Sequence, residues 1–258
     1  MSVNGINVTP SALLAGLFPP DVVAYECHAP FEPVALHPQE AQCVASAVPK
    51  RRGEFAAGRA CARAALAQLQ IEDFPLRMGA EREPLWPEGI VGSITHSGTF
   101  CGAALARSAR LMSLGLDVEE RSALRPDLWR AVSTAEELAW LQGLPESQAR
   151  TMAALIFSAK ESFFKCQFPL TRQWLGFAHV NVRVEDDRFA VRPCRSLALE
   201  SLAPPPWSGR FALHSALIAT GVALERQPHG SAHRTDRAVR GSNRTVRGNL
   251  VDAHAAAP

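Results

Sequence analysis

The order of elements along the chain predicts a mixed fold of helices and antiparallel strands, arranged as two similar halves. Residues 50–110 read helix, loop, strand, hairpin, and residues 150–224 read helix, loop, strands. Val180–Val184, Phe189–Arg192 and Phe211–Leu224 have the spacing of an antiparallel meander. Sequence identity between the halves is slight, so the echo lies in element order.

In chain order, residues 1–20 read as an irregular arm ended by Pro19-Pro20, and Val22–Tyr25 as a strand. His37-Pro38-Gln39-Glu40 opens a helix, with Pro38 in its first turn. A second helix is expected over about Lys50–Leu69, with Ala56, Ala57, Gly58 and Ala60 small enough for close packing on a sheet. Along one side recur Arg52, Arg59 and Arg63, either a solvated basic face or a grip on an anion. Residues 71–89 read as a loop whose Arg82–Gly89 portion is stiffened by prolines beside Trp86, suited to holding a flat group. Ile90–Thr95 is a short buried strand broken at His96-Ser97-Gly98, and Phe100–Ala106 resumes it ahead of a turn at Ser108–Arg110. Leu111–Glu120 is a strand. Residues 122–150 are a helical linker in which Ser133–Glu137 caps a helix start. A helix covers about Thr151–Cys166, and Phe168–Phe177 is a loop with two aromatic anchors. Residues 226–258 carry almost no large apolar side chains and read as a disordered tail.

Composition removes several classes of function. The 47% hydrophobic and 20% charged residues are those of a soluble globular protein. A net charge of +2 gives no global field for nucleic acid, so any anion site is local. The six cysteines contain no C-x-x-C pair and fit neither a zinc site nor a disulfide scaffold; they read as reduced thiols. The N-terminus lacks a basic leader, and the apolar run Ala12–Phe18 is short for a membrane span, as is every other run in the chain. The expectation is a cytoplasmic protein with no membrane and no nucleic-acid partner.

The candidate chemistry lies in two stretches. In Leu111–Glu120, strand alternation puts Asp117 and Glu119 on one face and Val118 on the other. Two carboxylates on an otherwise apolar strand repel each other, and a hard cation such as Mg²⁺ or Mn²⁺ removes that cost. A strand end emerging into solvent is the plainer alternative, since Glu120 and Arg121 follow. In Phe157–Lys165, Phe157, Glu161 and Lys165 share a helix face, and Ile156, Lys160 and Phe164 share another. An ordinary surface ion pair is one reading. The other is functional: the charges sit among three phenylalanines, and Lys50 is the only lysine besides Lys160 and Lys165 in an Arg-rich chain. With the basic helix and His96 at a strand end, these are the parts of a site for transfer at phosphorus.

At this level the chain resembles the 4′-phosphopantetheinyl transferases, of the larger monomeric type found with siderophore, polyketide and peptide synthetases. The matching stretches are Arg51–Phe55 with Gly58-Arg59; Glu83–Gly89 running into Val91–His96; Gly115–Glu119; and Phe157–Ser162 with Lys165. Phe168–Thr171 and Trp174–Phe177 resemble the segment that follows in actinobacterial-type members, and the likeness spans about residues 20–224. It implies an α+β fold of two pseudo-symmetric halves, 1–113 and 114–225, each a small mostly antiparallel sheet with a long helix, with coenzyme A in the cleft between them. It implies transfer of the phosphopantetheine arm of coenzyme A to a serine of an apo acyl or peptidyl carrier protein, releasing 3′,5′-ADP. Residue by residue, Asp117, Glu119 and Glu161 would hold Mg²⁺. Arg51, Arg59 and His96 would grip the 3′-phosphate, with Arg52 and Thr95 close, and Arg82, Glu83 and Pro84 would border the adenine. Lys160 and Lys165 would neutralise the pyrophosphate, and Glu161, directly or through water, would be the base. Ser97 and Glu81 depart from the common family pattern. A coenzyme A-binding module without chemistry and a Mg²⁺-dependent pyrophosphohydrolase are the alternatives.

Overall fold

The N-terminal arm is not wholly irregular: it forms three two-residue strands, β1 (Ser2–Val3), β2 (Ile6–Asn7) and β3 (Thr9–Pro10). The computed structural model describes residues 2–3, 6–14, 16–31, 35–122 and 124–226, so the tail expected after Glu225 lies outside the described residues apart from Arg226. β4 (Val23–His28) follows the arm, then α1 (Pro38–Cys43) and α2 (Pro49–Gln68). β5 (Ile90–Ser97), β6 (Phe100–Arg107) and β7 (Leu111–Glu120) form consecutive strands. Short helices α3 (Trp129–Val132) and α4 (Ala135–Gln142) precede the long α5 (Glu146–Thr171). The chain then makes β8 (Val180–Glu185), β9 (Arg188–Pro193), β10 (Trp207–His214) and β11 (Leu217–Glu225).

β1 and β2 pair only with each other, and the other strands form two antiparallel sheets, in the orders β3-β4-β6-β5 and β7-β11-β10-β9-β8, so the fold is α+β. Alternation along β6 explains how the layers join. Cys101, Ala103 and Leu105 pack with Ala57, Ala60 and Ala64 of α2, while Phe100, Ala104 and Ala106 turn to the other face. There they meet Leu114, Leu116 and Val118 of β7, with Leu14 and Leu17 of the arm. A third apolar cluster sets Ala153, Ile156 and Phe163 of α5 on Val182, Val191 and Val222 of the five-stranded sheet.

Three local expectations are corrected. His96 and Ser97 continue β5 because both have partners on β6, Cys101 and Phe100; the turn is at Gly98, whose φ of +54° favours glycine. The segment Phe211–Leu224 is a hairpin turning at Ser215-Ala216, with Ser215 at φ +40°, and no Gly, Pro or Asn marks that turn. α5 runs through Pro169 to Thr171, where Arg172 ends it in the left-handed region. Its last turn survives because the Arg172 N–H donates to the Phe168 carbonyl and Thr171 Oγ1 donates to that of Gln167.

The odd-numbered face of β7 meets α5. A Cβ on Gly115 would stand 1.9 Å from the Ser162 carbonyl oxygen and 2.6 Å from the Cys166 nitrogen, so helix and strand backbones touch there. Ser113 Oγ donates to the Cys166 carbonyl at 2.6 Å one step along the same face. Gly115→Ala is therefore expected to force α5 off the strand and lower stability by about 1–3 kcal/mol, the range of overpacked cores. Urea unfolding measures it.

Candidate functional site

The next residue on that face is Asp117, 4% exposed. Lys165, two helical turns from Phe157, reaches it: Nζ lies 2.7 Å from Asp117 Oδ1 and 3.2 Å from the Leu116 carbonyl. Thr95 Oγ1 donates to the same carboxylate oxygen at 3.4 Å and accepts from the Val118 N–H at 3.1 Å. Asp117 Oδ2 is buried without a hydrogen-bond partner. On the neighbouring odd position Glu119 Oε2 accepts from Ser97 Oγ at 3.3 Å. Burial, reinforced by the charge of Asp117 and opposed by Lys165 and Ser97, pushes the Glu119 carboxyl up to about 7. Burial also raises Glu161, with Lys165 opposing and Asp117 adding to the shift. Asp117, Glu119, Glu161 and Lys165 thus form one electrostatic group.

Among the described residues no three His, Cys, Asp or Glu side chains stand close enough to enclose an ion by themselves. The Lys165 ammonium occupies one side of Asp117 instead. The donor set still fits a hard cation. An orphaned buried carboxylate oxygen sits beside two carboxyls pushed towards neutrality, and Mg²⁺ commonly binds through one or two carboxylates plus phosphate oxygens and water.

The basic residues divide. Arg51 Nη1 meets His96 Nε2, and both lie against Glu54, at 3.4 Å and 3.8 Å from Oε2. Lys50, Arg51 and Arg52 fill the first turn of α2, which has no acidic residue, so three cations crowd the positive end of a helix. Arg59 is 5% exposed; its Nε donates to the Leu76 carbonyl at 2.8 Å and its guanidinium lies 4.1 Å from the Phe55 ring centre. Burial lowers it to about 10, still a cation at neutral pH. Arg63 is not part of a solvated stripe: it pairs at 2.7 Å with Glu40, which is fully buried and also accepts from the His37 and Leu76 N–H groups.

Other candidates stand apart from this group. Arg52 donates to the Ala45 and Ala47 carbonyls and lines a separate cavity of about 580 Å³ with Phe31, Val44 and Pro49. Thr95 is the exception: its hydroxyl touches the acidic group, spent on Asp117 and the Val118 N–H. Glu83 binds Arg172 and the Glu81 N–H; burial pushes its carboxyl up, but the Arg172 guanidinium wins and holds it below the usual range. Arg82 is exposed with φ +70°, and Pro84 bridges to Met78. Lys160 needs correction as a pyrophosphate ligand: it is 3% exposed and its ammonium is enclosed by Glu137 Oε2 at 2.6 Å and the carbonyls of Val132 and Phe177. Helical spacing from Glu161 gave no hint of this, because its partners lie 23, 28 and 17 residues away. Glu54, Ser97 and Glu137 were not foreseen. Glu54 had a local signal, four residues after Lys50 and three after Arg51, and Glu137 only that of a helix cap.

A cavity of about 380 Å³ opens beside Glu161, walled by Phe163, Phe164, Trp174, Leu175 and Phe177. Trp174 is 61% exposed, and its ring centre lies 5.1 Å from that of Phe164.

Fold and site together describe an α+β protein with an acidic cluster, a lysine and a basic helix end, the equipment for handling a phosphate ester. Residues 39–106 match the family model described as the 4′-phosphopantetheinyl transferase N-terminal domain, and residues 113–206 match that of the 4′-phosphopantetheinyl transferase superfamily. The chain is 40% identical over 215 residues to 4′-phosphopantetheinyl transferase Svp of Streptomyces mobaraensis, covering 79% of this chain and 85% of that protein. It is 35% identical over 200 residues to 4′-phosphopantetheinyl transferase PptT of Mycobacterium tuberculosis, covering 72% and 85%. Enterobactin synthase component D of Salmonella typhimurium is 37% identical over 124 residues, 46% of this chain and 50% of that protein. The chain belongs to the 4′-phosphopantetheinyl transferase family. It is accordingly an enzyme of phosphopantetheinyl transfer, with coenzyme A as substrate and carrier proteins as acceptors.

The Glu119 shift fixes a pH dependence. The folded chain keeps that proton up to about pH 7, whereas the ordinary carboxyl loses it near 4.5. Stability from this group is full at low pH and is lost as pH rises through about 7. Glu119→Gln is expected to raise the melting temperature at pH 8 and leave it nearly unchanged at pH 4.5, read by calorimetry at both.

Proposed function

We propose that Asp117, Glu119 and Glu161 hold Mg²⁺, or Mn²⁺ in its place, and that the site moves the phosphopantetheine arm of coenzyme A to a serine hydroxyl of an apo carrier protein. The observation that carries this reading is the grouping of Asp117, Glu119, Glu161 and Lys165, of which Glu161 also lines an apolar cavity. The serine oxygen forms a bond to the phosphorus of the arm, the pyrophosphate P–O bond breaks, and 3′,5′-ADP leaves. Glu161, which lines the cavity assigned to the arm, takes the serine proton, directly or through a water. Lys165 spends two donors on Asp117 and Leu116 and stays 29% exposed, which suits it to the charge growing on the leaving oxygen. The metal, when bound, supplies the positive charge that neutralises the pyrophosphate.

The three cations in the first turn of α2 repel the helix dipole, and a 3′-phosphate on Arg51 and His96 relieves that repulsion. Buried Arg59 adds charge behind them, and the turn at Arg82, Glu83 and Pro84 borders the adenine. The arm is joined to the pyrophosphate, so the slot beside Glu161, with Phe164, Trp174 and Leu175, is where it lies. The protein works as a cytoplasmic monomer, dividing near residue 113 into two halves that grip coenzyme A between them. Among the described residues no helix is long and apolar enough to cross a membrane.

Incubation with coenzyme A and Mg²⁺, with and without an apo carrier protein, tests this by mass spectrometry. The carrier is expected to gain the arm, and chelation of the metal to stop it. Release of 3′,5′-ADP without a carrier would show a hydrolase instead, and binding with neither product a module without chemistry. Glu161→Gln is expected to abolish the gain while coenzyme A binding, measured by calorimetry, largely survives. Near wild-type turnover would remove Glu161 from the mechanism. Arg51→Gln is expected to weaken coenzyme A about tenfold or more, the loss of a charged hydrogen bond, while sparing 3′-dephospho-coenzyme A.

A further inference from the structure

We propose that the buried pair of Glu137 and Lys160 is a positioning device, which holds the segment 174–180 as a wall of the cavity beside Glu161 and so sets the fit of the coenzyme A arm. The inference rests on the reading that this cavity takes the arm. A lysine ammonium has three donors, and here all three are taken: Glu137 Oε2 at 2.6 Å, the Phe177 carbonyl at 2.7 Å and the Val132 carbonyl at 3.0 Å. None is left for a phosphate, and both side chains are 2% exposed. Glu137 is equally committed. Its Oε2 also accepts from the Thr134 N–H at the start of α4, and its Oε1 from the Val182 N–H of β8, each at 2.6 Å.

One ion pair therefore gathers the end of α3, the start of α4, the middle of α5, the turn at Phe177 and strand β8. The turn at Phe177 borders the cavity. Its carbonyl is drawn to Lys160, its ring packs 5.4 Å from Phe157, and Leu175 and Trp174 precede it along the wall. Residue 160 is also the neighbour of Glu161, so a shift of the wall moves the arm against the reacting carboxylate. A buried ion pair adds little net stability over an apolar pair of the same shape. What this one supplies is direction, because a cation fixes two carbonyls that apolar side chains would leave unheld.

The test compares the parent with the double variant Glu137→Gln/Lys160→Met, which removes both charges and avoids stranding one in the core. Glu137→Gln alone, which can keep the bond to Val182 but leaves the Lys160 charge without its carboxylate, is the second variant and is expected to give the larger loss. Each is followed by hydrogen exchange without ligand, and by calorimetric titration with coenzyme A and with 3′,5′-ADP, which lacks the arm. The expected result is faster exchange at 174–180 with unchanged exchange at 151–158. Coenzyme A should bind about tenfold more weakly while 3′,5′-ADP stays within about twofold, the size expected for a disordered binding wall. Equal losses for both ligands would reduce the pair to a general support of the fold and overturn the proposal, as would unchanged exchange at 174–180. If the parent binds 3′,5′-ADP yet transfers no arm to any apo carrier, the transferase reading fails separately. The exchange rates then decide alone whether the pair holds the segment.

Discussion

The ammonium of Lys165 against the carboxylate of Asp117 is the contact that the remaining geometry serves. A pair this close needs helix and strand backbones nearer than ordinary side chains permit. Gly115 removes the obstacle two residues before Asp117, and Ser113 and Thr220 bind α5 through Cys166 and Ser158 on either side. The pair itself adds little stability, since desolvation offsets much of its attraction. The apolar clusters on both faces of β7 supply the energy, and the small polar residues set the distance. The cost of crowding carboxylates is then local, visible in the raised Glu119 and Glu161.

β7 is fixed from both edges by different means. On one side it pairs with β11 through an antiparallel ladder that shifts register only at Leu224-Glu225. On the other, β5 meets it through side-chain hydroxyls: Ser93 to the Leu116 N–H, Thr95 to the Val118 N–H, and Ser97 to the Glu119 carboxylate. These three are alternate residues of one strand, so they present one face, and the partners advance along β7 in the same direction. An exposed strand edge is thereby closed without a backbone ladder, and the joint between the two sheets carries the acidic cluster.

Periodicity made part of this legible. A period of two set Asp117 and Glu119 on one face with Val118 opposite, and a spacing of four set Glu161 with Lys165. Both are short-range facts that backbone geometry enforces. What stayed hidden depends on partners distant in sequence or on turns without a compositional mark. The stripe of Arg59 and Arg63 looked uniform, yet one arginine lies over Phe55 and the other on Glu40, across a separation of 23 residues. The hairpin at Ser215 uses no Gly or Pro, and α5 outlasts Pro169 because Arg172 supplies the left-handed cap that a glycine usually announces.

The two lysines of α5 show most plainly why local pattern is insufficient. In an arginine-rich chain their presence together suggested one purpose, yet five residues of helix turn them to different surroundings. Lys160 meets three acceptors and is sealed; Lys165 meets two and keeps an exposed side. Each use suits a compact ammonium better than a planar guanidinium, since acceptors converging from several elements call for donors arranged around a point. One lysine thus forms a structural joint, and the other keeps an exposed side beside Asp117. The same helix carries Glu161 between the two, so the element that packs on the core also brings a carboxylate to the Asp117–Lys165 pair.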